Sequence, residues 1–208
     1  MNLSKRLQAV ATLVDIDSRV IDVGCDHAYL DIYLATNNNN NCIAADINEK
    51  ALNNAKENIK KYKLSRKIKT KLTDGLTDID VEEEDNIVIA GMGAHTILDI
   101  LNTNNLSNTL IISSNNDIEL LRREVVKLGY YIDSEIFLFD RKKAYVIIKF
   151  LKGIKKYNKY DYILGPILKN NIEYKQYINR KYTKMLEIIP KSKIFLRLKY
   201  KRLLKKTK

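Results

Sequence analysis

The stretch Arg19-Val-Ile-Asp-Val-Gly-Cys-Asp-His-Ala-Tyr-Leu30 constrains this chain more than any other. An apolar strand over Val20–Val23 runs into Gly24, and a helix is expected from about His27 to Ala35. A strand that stops at a glycine turn and opens a helix is the nucleotide-binding corner of an open α/β sheet. Such a corner needs an acid about 20 residues downstream for the ribose hydroxyls. Asp46, closing the apolar run Cys42-Ile-Ala-Ala-Asp46, occupies that place. An adenosine-containing ligand is therefore expected. On these two features alone, a plain βα turn with a chance acid after it stays open.

The loop separates the candidate ligands. A pyrophosphate needs G-x-G-x-x-G, because backbone must press against it. Here Asp26 and Tyr29 stand where the second and third glycines would be. A carboxylate and a phenol there repel or block two phosphates. S-adenosylmethionine carries no phosphate; it asks for one tight turn, an anchor for its amino-acid end and an acid for the ribose. Gly24, the Asp26–His27–Ala28 backbone and Asp46 can supply these.

The rest of the chain reads as alternating strands and helices, hence a doubly wound sheet. Leu3, Leu7, Val10, Ala11 and Val14 recur at helical spacing and predict a helix covering the sheet. The asparagine run 37–41 reads as a surface loop, and Asn48 as the cap of a helix reaching Tyr62. Ile68–Leu72 predicts a third strand, ended by Thr73-Asp74-Gly75. Asp74 there is placed to accept from an adenine amine, or is an ordinary Asp-Gly turn. The acidic stretch Asp78–Asp85 reads as a solvated loop. Ile87–Ala90 predicts a buried fourth strand leading into Gly91-Met92-Gly93, and Leu110–Ile112 a fifth leading into Ser113-Ser-Asn115. Asp117 is expected to cap a helix to Leu128, with Gly129 closing it. Tyr131–Phe139 and Ala144–Phe150 predict an antiparallel hairpin at the sheet edge. The count is five βα units followed by that hairpin.

Charge divides the chain at about residue 151. Residues 1–150 hold 19 Lys+Arg against 22 Asp+Glu, whereas residues 151–208 hold 18 against 3. Two domains follow as the expectation, 1–151 and 152–208, the second suited to a polyanion. Nucleic acid fits best, with a membrane surface and a merely solvated helix face as alternatives. Lys152–Tyr160 reads as a basic linker, and Gly165-Pro166 as the start of a helix. Ile167, Asn171, Tyr174, Ile178, Tyr182, Met185 and Ile189 step by threes and fours to Pro190, and a second helix is expected over Ile194–Leu204. The pair predicts a coiled-coil-like helical hairpin. Its interleaved tyrosines are either packing residues or stacking platforms for bases.

Other function classes are disfavoured by composition. Cys25 and Cys42, on neighbouring expected strands, are too few for a disulfide framework and predict reduced thiols in a cytoplasmic protein. With only His27 and His95 as histidines and no C-x-x-C, no metal site is expected. No long apolar run predicts secretion or membrane spanning.

Seven stretches together resemble the bacterial tRNA (adenine-22, N1)-methyltransferase family: Leu3-Ser-Lys-Arg-Leu7, Asp22-Val-Gly-Cys-Asp-His-Ala-Tyr-Leu30, Asp74-Gly-Leu76, Ile89-Ala-Gly-Met-Gly93, Leu110-Ile-Ile-Ser-Ser-Asn115, Lys143-Ala-Tyr145 and Leu164-Gly-Pro166. The resemblance implies a Rossmann-like class I methyltransferase sheet with a C-terminal α-helical hairpin. It implies methyl transfer from S-adenosylmethionine to N1 of an adenine in the D-loop region of tRNA, without metal; a monomer is a separate expectation from the sequence. Gly24, Asp26, His27, Asp46, Ile47, Asp74, Gly75, Ala90, Gly91 and Met92 are then the cofactor-side residues. Asn115, Asp26 and His27 are the candidates for the acceptor side. Where the family has Gln-Pro-Asn this chain has Ser113-Ser114-Asn115, and Ala94 replaces a third glycine. Two other readings stay open: a methyltransferase for another RNA base or for protein, and a non-catalytic RNA-binding protein.

Overall fold

The computed structural model describes residues 3–102 and 109–207, in two compact units, Met1–Lys156 and Tyr157–Lys208. The first unit runs α1 (Lys5–Ala11), β1 (Arg19–Val23), α2 (Tyr29–Asn37), β2 (Asn41–Asp46), α3 (Glu49–Lys61), β3 (Ile68–Leu72), β4 (Asn86–Ala90), α4 (Ala94–Asn102), β5 (Thr109–Ser113), α5 (Ile118–Lys127), β6 (Tyr130–Asp140) and β7 (Lys143–Lys152). Its seven strands order as β3-β2-β1-β4-β5-β7-β6. The first five are parallel, and β7 lies antiparallel to both β5 and β6. This is an α/β, doubly wound sheet with an antiparallel edge hairpin, as the alternation of strands and helices implied.

Central strands covered on both faces should be apolar at every position. Val20 and Ile21 of β1, Ile87–Ile89 of β4 and Leu110–Ile112 of β5 are all fully buried, which is why these runs do not alternate. Helix α3 instead buries a single stripe, Leu52, Ala55 and Ile59, against the sheet. Asn48 caps it by accepting from the Lys50 and Ala51 amides, and Ser4 caps α1 by accepting from Leu7 N. Each such cap contributes about 1 kcal/mol.

Several expectations need correction. Helix α2 begins at Tyr29, not His27, because Asp26 (φ 50°) and Ala28 (φ 55°) are left-handed and hold the loop out of helical geometry. Cys25 lies in that loop, not on a strand. The asparagine run is not all surface: Asn40 is fully buried, its Nδ2 donating to the Asp15 and Ser18 carbonyls. Asp85 is likewise buried, paired at 2.7 Å with Arg19. Residues 73–85 cross from β3 to β4 without a helix, so the described residues hold four βα units rather than five. Asp117 does precede α5, but at φ 45° its side chain makes no capping bond. The β6–β7 turn places Arg141 and Lys142 both at positive φ, a tight two-residue geometry usually filled by Asn-Gly.

The second unit contains α6 (Lys159–Leu164), a 3₁₀ turn (Leu168–Asn170), α7 (Ile172–Ile188) and α8 (Ile194–Lys206). The expected linker over Lys152–Tyr160 therefore runs into a helix, α6, which an Asn158–Asp161 capping box opens. Gly165-Pro166 does not open the long helix; Asn171 caps it by accepting from Tyr174 N. Ile167 and Asn171 fall outside the helical seam for that reason, while Tyr174 and Ile178 are buried as expected. Helices α7 and α8 form a hairpin through a Tyr182–Tyr200 edge contact and an Asn179–Thr207 hydrogen bond. Arg197 donates to the Leu186 and Ile189 carbonyls at the end of α7. No helix among the described residues is long and apolar enough to cross a membrane.

Candidate active site

Parallel strands end on the same edge of the sheet, so the loops after β1, β2, β3, β4 and β5 gather there. A cavity of about 270 Å³ opens in that crevice, lined by Arg6, Leu7, Asp22, Gly24, Cys25, Asp26, His27, Tyr29, Leu30, Ala90 and Gly91. Five of the sequence-predicted residues thus meet in one space: Gly24, Asp26, His27, Ala90 and Gly91.

The others are tied to its rim. Asp46 accepts from Asp26 N at 3.2 Å and from Asn48 N at 2.9 Å, which joins the β1 and β2 loops. Thr73 N donates to the Asp46 carbonyl and brings the Asp74-Gly75 turn alongside. Asp74 is exposed and Ile47 is 68% exposed, neither of them in the cavity wall. Met92 reaches back over the glycine turn: a Cβ on Gly24 would come within 2.5 Å of Met92 Cε, and Gly24 itself has φ +80°. Only glycine meets both conditions without strain. Asn115 packs on the β4 end, its Nδ2 donating to the Gly91 carbonyl while Lys143 Nζ approaches its Oδ1 at 3.4 Å. His27 Nε2 lies 3.6 Å from Asp26 Oδ1, and its ring stacks on Tyr29.

Two charged residues of the cavity wall were not among the site candidates read from sequence, Arg6 and Asp22. Nη1 of Arg6 is buried without a hydrogen-bond partner, and the guanidinium sits 5.6 Å from the Tyr145 ring centre. Asp22 is 5% exposed, in the middle of β1. Burial pushes its carboxyl up to about 7, opposed by a hydrogen bond from Asp31 and by the Arg6 charge, with Asp46 adding to the rise. Asp31 on α2 is fully buried, and burial together with the neighbouring Asp22 holds it well above the usual carboxylate range. Two carboxylates offer each other only lone pairs; their contact becomes a hydrogen bond once one is protonated. The same burial raises the Cys25 and Cys42 thiols, so both free cysteines stay protonated and unreactive. An acid inside the apolar run Val20-Ile-Asp-Val23 was the available signal for Asp22.

A family model described as a methyltransferase domain matches residues 3–148. The structure of M. capricolum TrmK in complex with S-adenosyl-homocysteine superposes with a TM-score of 0.84 at 32% identity, covering 99% of this chain and 96% of that one. This chain belongs to the bacterial tRNA (adenine(22)-N(1))-methyltransferase family. The tRNA (adenine(22)-N(1))-methyltransferase of Bacillus subtilis is 33% identical over 153 residues, which span 71% of this chain and 64% of that protein. A crystal structure of the B. subtilis m1A22 tRNA methyltransferase covers 99% of this chain and 94% of that one, with a TM-score of 0.81 at 27% identity. Among the described residues, no group of three or more His, Cys, Asp or Glu side chains is arranged to hold a metal ion.

Proposed function

We propose that this protein transfers a methyl group from S-adenosylmethionine to N1 of adenine 22 in tRNA. The observation that carries the reading is the structural match to M. capricolum TrmK, over 99% of this chain and 96% of that one, together with a cavity whose donors fit that cofactor. Arg6, with its unpartnered buried Nη1, would hold the carboxylate of the amino-acid end, and Asp22 the ammonium. Gly24 and Gly91 leave the backbone open around them. Asp46 and Ile47 would take the ribose side, and Asp74 with Gly75 the adenine. Ala90 and Met92 would bound the methyl-bearing end. The cofactor, when bound, supplies an electrophilic methyl on a sulfonium.

The chain's own contribution on the acceptor side is positioning. Adenine N1 carries an in-plane lone pair, so no base is needed before attack. Asn115 Oδ1 would accept from the exocyclic amine, and Asp26 would stabilise the charge that the ring acquires. His27 orients the loop through Asp26 and Tyr29. Residues 1–151 are the catalytic domain in this reading. The basic residues of 152–208 hold tRNA phosphates, and the protein works as a cytoplasmic monomer.

Mass mapping of methylated nucleosides in transcript tRNA after incubation with S-adenosylmethionine tests the activity; N1-methyladenosine at position 22 is expected. Asn115→Ala should lower turnover roughly 10²-fold by misplacing the base, with cofactor affinity unchanged. Undiminished turnover in that variant removes Asn115 from the acceptor side.

A further inference from the structure

The unit Met1–Lys156 is acidic as a whole, yet residues 58–73 hold no Asp or Glu and seven Lys or Arg. Lys60 and Lys61 end α3, Lys63 and Arg66 follow in the turn, and Lys69 and Lys71 stand on β3, the edge strand of the sheet. All six are exposed. Lys67, the seventh, is tied down by the Ala35 carbonyl and Asn39. None of the six forms an ion pair with any carboxylate among the described residues. Tyr62 and Leu72, 41% and 53% exposed, lie among them. A second cavity, of about 290 Å³, opens at the foot of the strip between Arg19, Arg66, Lys67 and Lys69.

Ordinary structural roles cover part of this. Cations at a helix C-terminus complement its dipole, which suits Lys60 and Lys61. Lysines on an edge strand discourage pairing with another chain, which suits Lys69 and Lys71. Neither role reaches Lys63 or Arg66, and neither requires sixteen residues without one acid. The strip also ends at the site. Lys71 and Leu72 are the register partners of Ala45 and Asp46, so the strand climbs about 3.3 Å per residue from the basic turn to the rim of the cofactor crevice.

We infer that this β3 edge is a phosphate-backbone contact for the substrate tRNA, made by the catalytic unit itself in addition to the basic C-terminal residues. The inference rests on the tRNA reading above. Its chemistry is a row of unpaired cations with an exposed tyrosine among them, the combination that tracks an RNA backbone and tolerates any sequence.

The test uses the full chain with Lys60→Gln, Lys63→Gln, Lys69→Gln and Lys71→Gln combined, and also as the two pairs 60/63 and 69/71 in case the combination misfolds. tRNA affinity is measured against salt. Loss of four phosphate contacts should lower the log–log salt slope by about 3 and raise Kd at least about tenfold. The tRNA KM should rise with kcat preserved, and affinity for S-adenosylhomocysteine and the melting temperature should stay at wild-type values. Wild-type Kd and slope in the substituted chains overturn the inference. So does loss of adhesion to phosphatidylglycerol vesicles with tRNA affinity intact, which assigns the strip to an anionic membrane surface. If the tRNA reading itself is wrong, the unsubstituted chain neither binds nor methylates tRNA, and the strip's partner goes with it.

Discussion

Cofactor affinity should depend on pH through the Asp22–Asp31 pair. The carboxyl of Asp22 titrates near 7 because burial outweighs the help it receives from Asp31 and Arg6. A cationic ammonium placed beside it favours the ionised form, so binding below that value must expel a proton. At pH 6 about one protein in ten has the group ionised, and at pH 5 about one in a hundred, so apparent affinity should climb about tenfold per pH unit and level off above 7. The charged and titratable neighbours are Arg6 on α1, Asp31 on α2, Asp46 on β2 and the Cys25 and Cys42 thiols; the thiols remain neutral over this range. The ligand-free protein carries the opposite trend. Its folded state keeps protons that the unfolded chain gives up near 3.8, so this contribution to stability is full below about pH 4. It falls by about 1.4 kcal/mol per pH unit for each retained proton as pH rises toward 7. Calorimetric titration of S-adenosylhomocysteine in buffers of different ionisation enthalpy measures both affinity and proton release. Asp31→Asn supplies an amide donor in place of the shared proton, and should flatten the affinity profile between about pH 6 and 8. A wild-type affinity that is flat over that range, with no proton released, refutes the argument.

Three shorter predictions rest on other parts of the molecule. Arg122 and Glu135 form a fully buried ion pair at 2.7 Å between α5 and β6, so Arg122→Ala should cost about 3–5 kcal/mol in chemical denaturation, while Arg122→Met with Glu135→Leu together should recover most of it. Gly24→Ala places a methyl against Met92 at φ +80°; about 1–3 kcal/mol of strain and weaker S-adenosylhomocysteine binding are expected, read by melting and calorimetry. Asp46→Ala removes the acceptor for the Asp26 amide and the proposed ribose contact together, so cofactor affinity should drop at least about tenfold; unchanged affinity takes Asp46 out of the site.

Much of this architecture was readable from local pattern. The apolar runs that became β1, β4 and β5 are buried on both faces, and unbroken hydrophobicity alone locates them. Asn48 announced α3 because side-chain capping is a local interaction. Asp117 misled because a residue at φ 45° can hold the cap position without making the cap bond. The loop between β3 and β4 was legible as one, but its buried anchor was not, because the Arg19–Asp85 pair joins residues far apart in the chain. At the crevice, the glycine turn and its link to Asp46 were legible because both belong to one βαβ unit. Arg6 and Asp31 were not, since they reach Asp22 from α1 and α2 through tertiary packing. The short helix α6 escaped notice because the lysine-rich run leading into it, Lys152–Lys159, masked the Asn158–Asp161 capping box.

The placement of β7 between β5 and β6 has a consequence for biosynthesis. During translation β5 emerges well before its lateral partner, and β6 is made next but has no bond to β5 in the finished sheet. The growing polypeptide therefore carries a bare strand margin, a site for mispairing with other nascent chains, until Lys143–Lys152 leaves the ribosome and slots between the two. The helical hairpin follows that strand in the chain, so its synthesis begins only once every strand of the catalytic sheet exists.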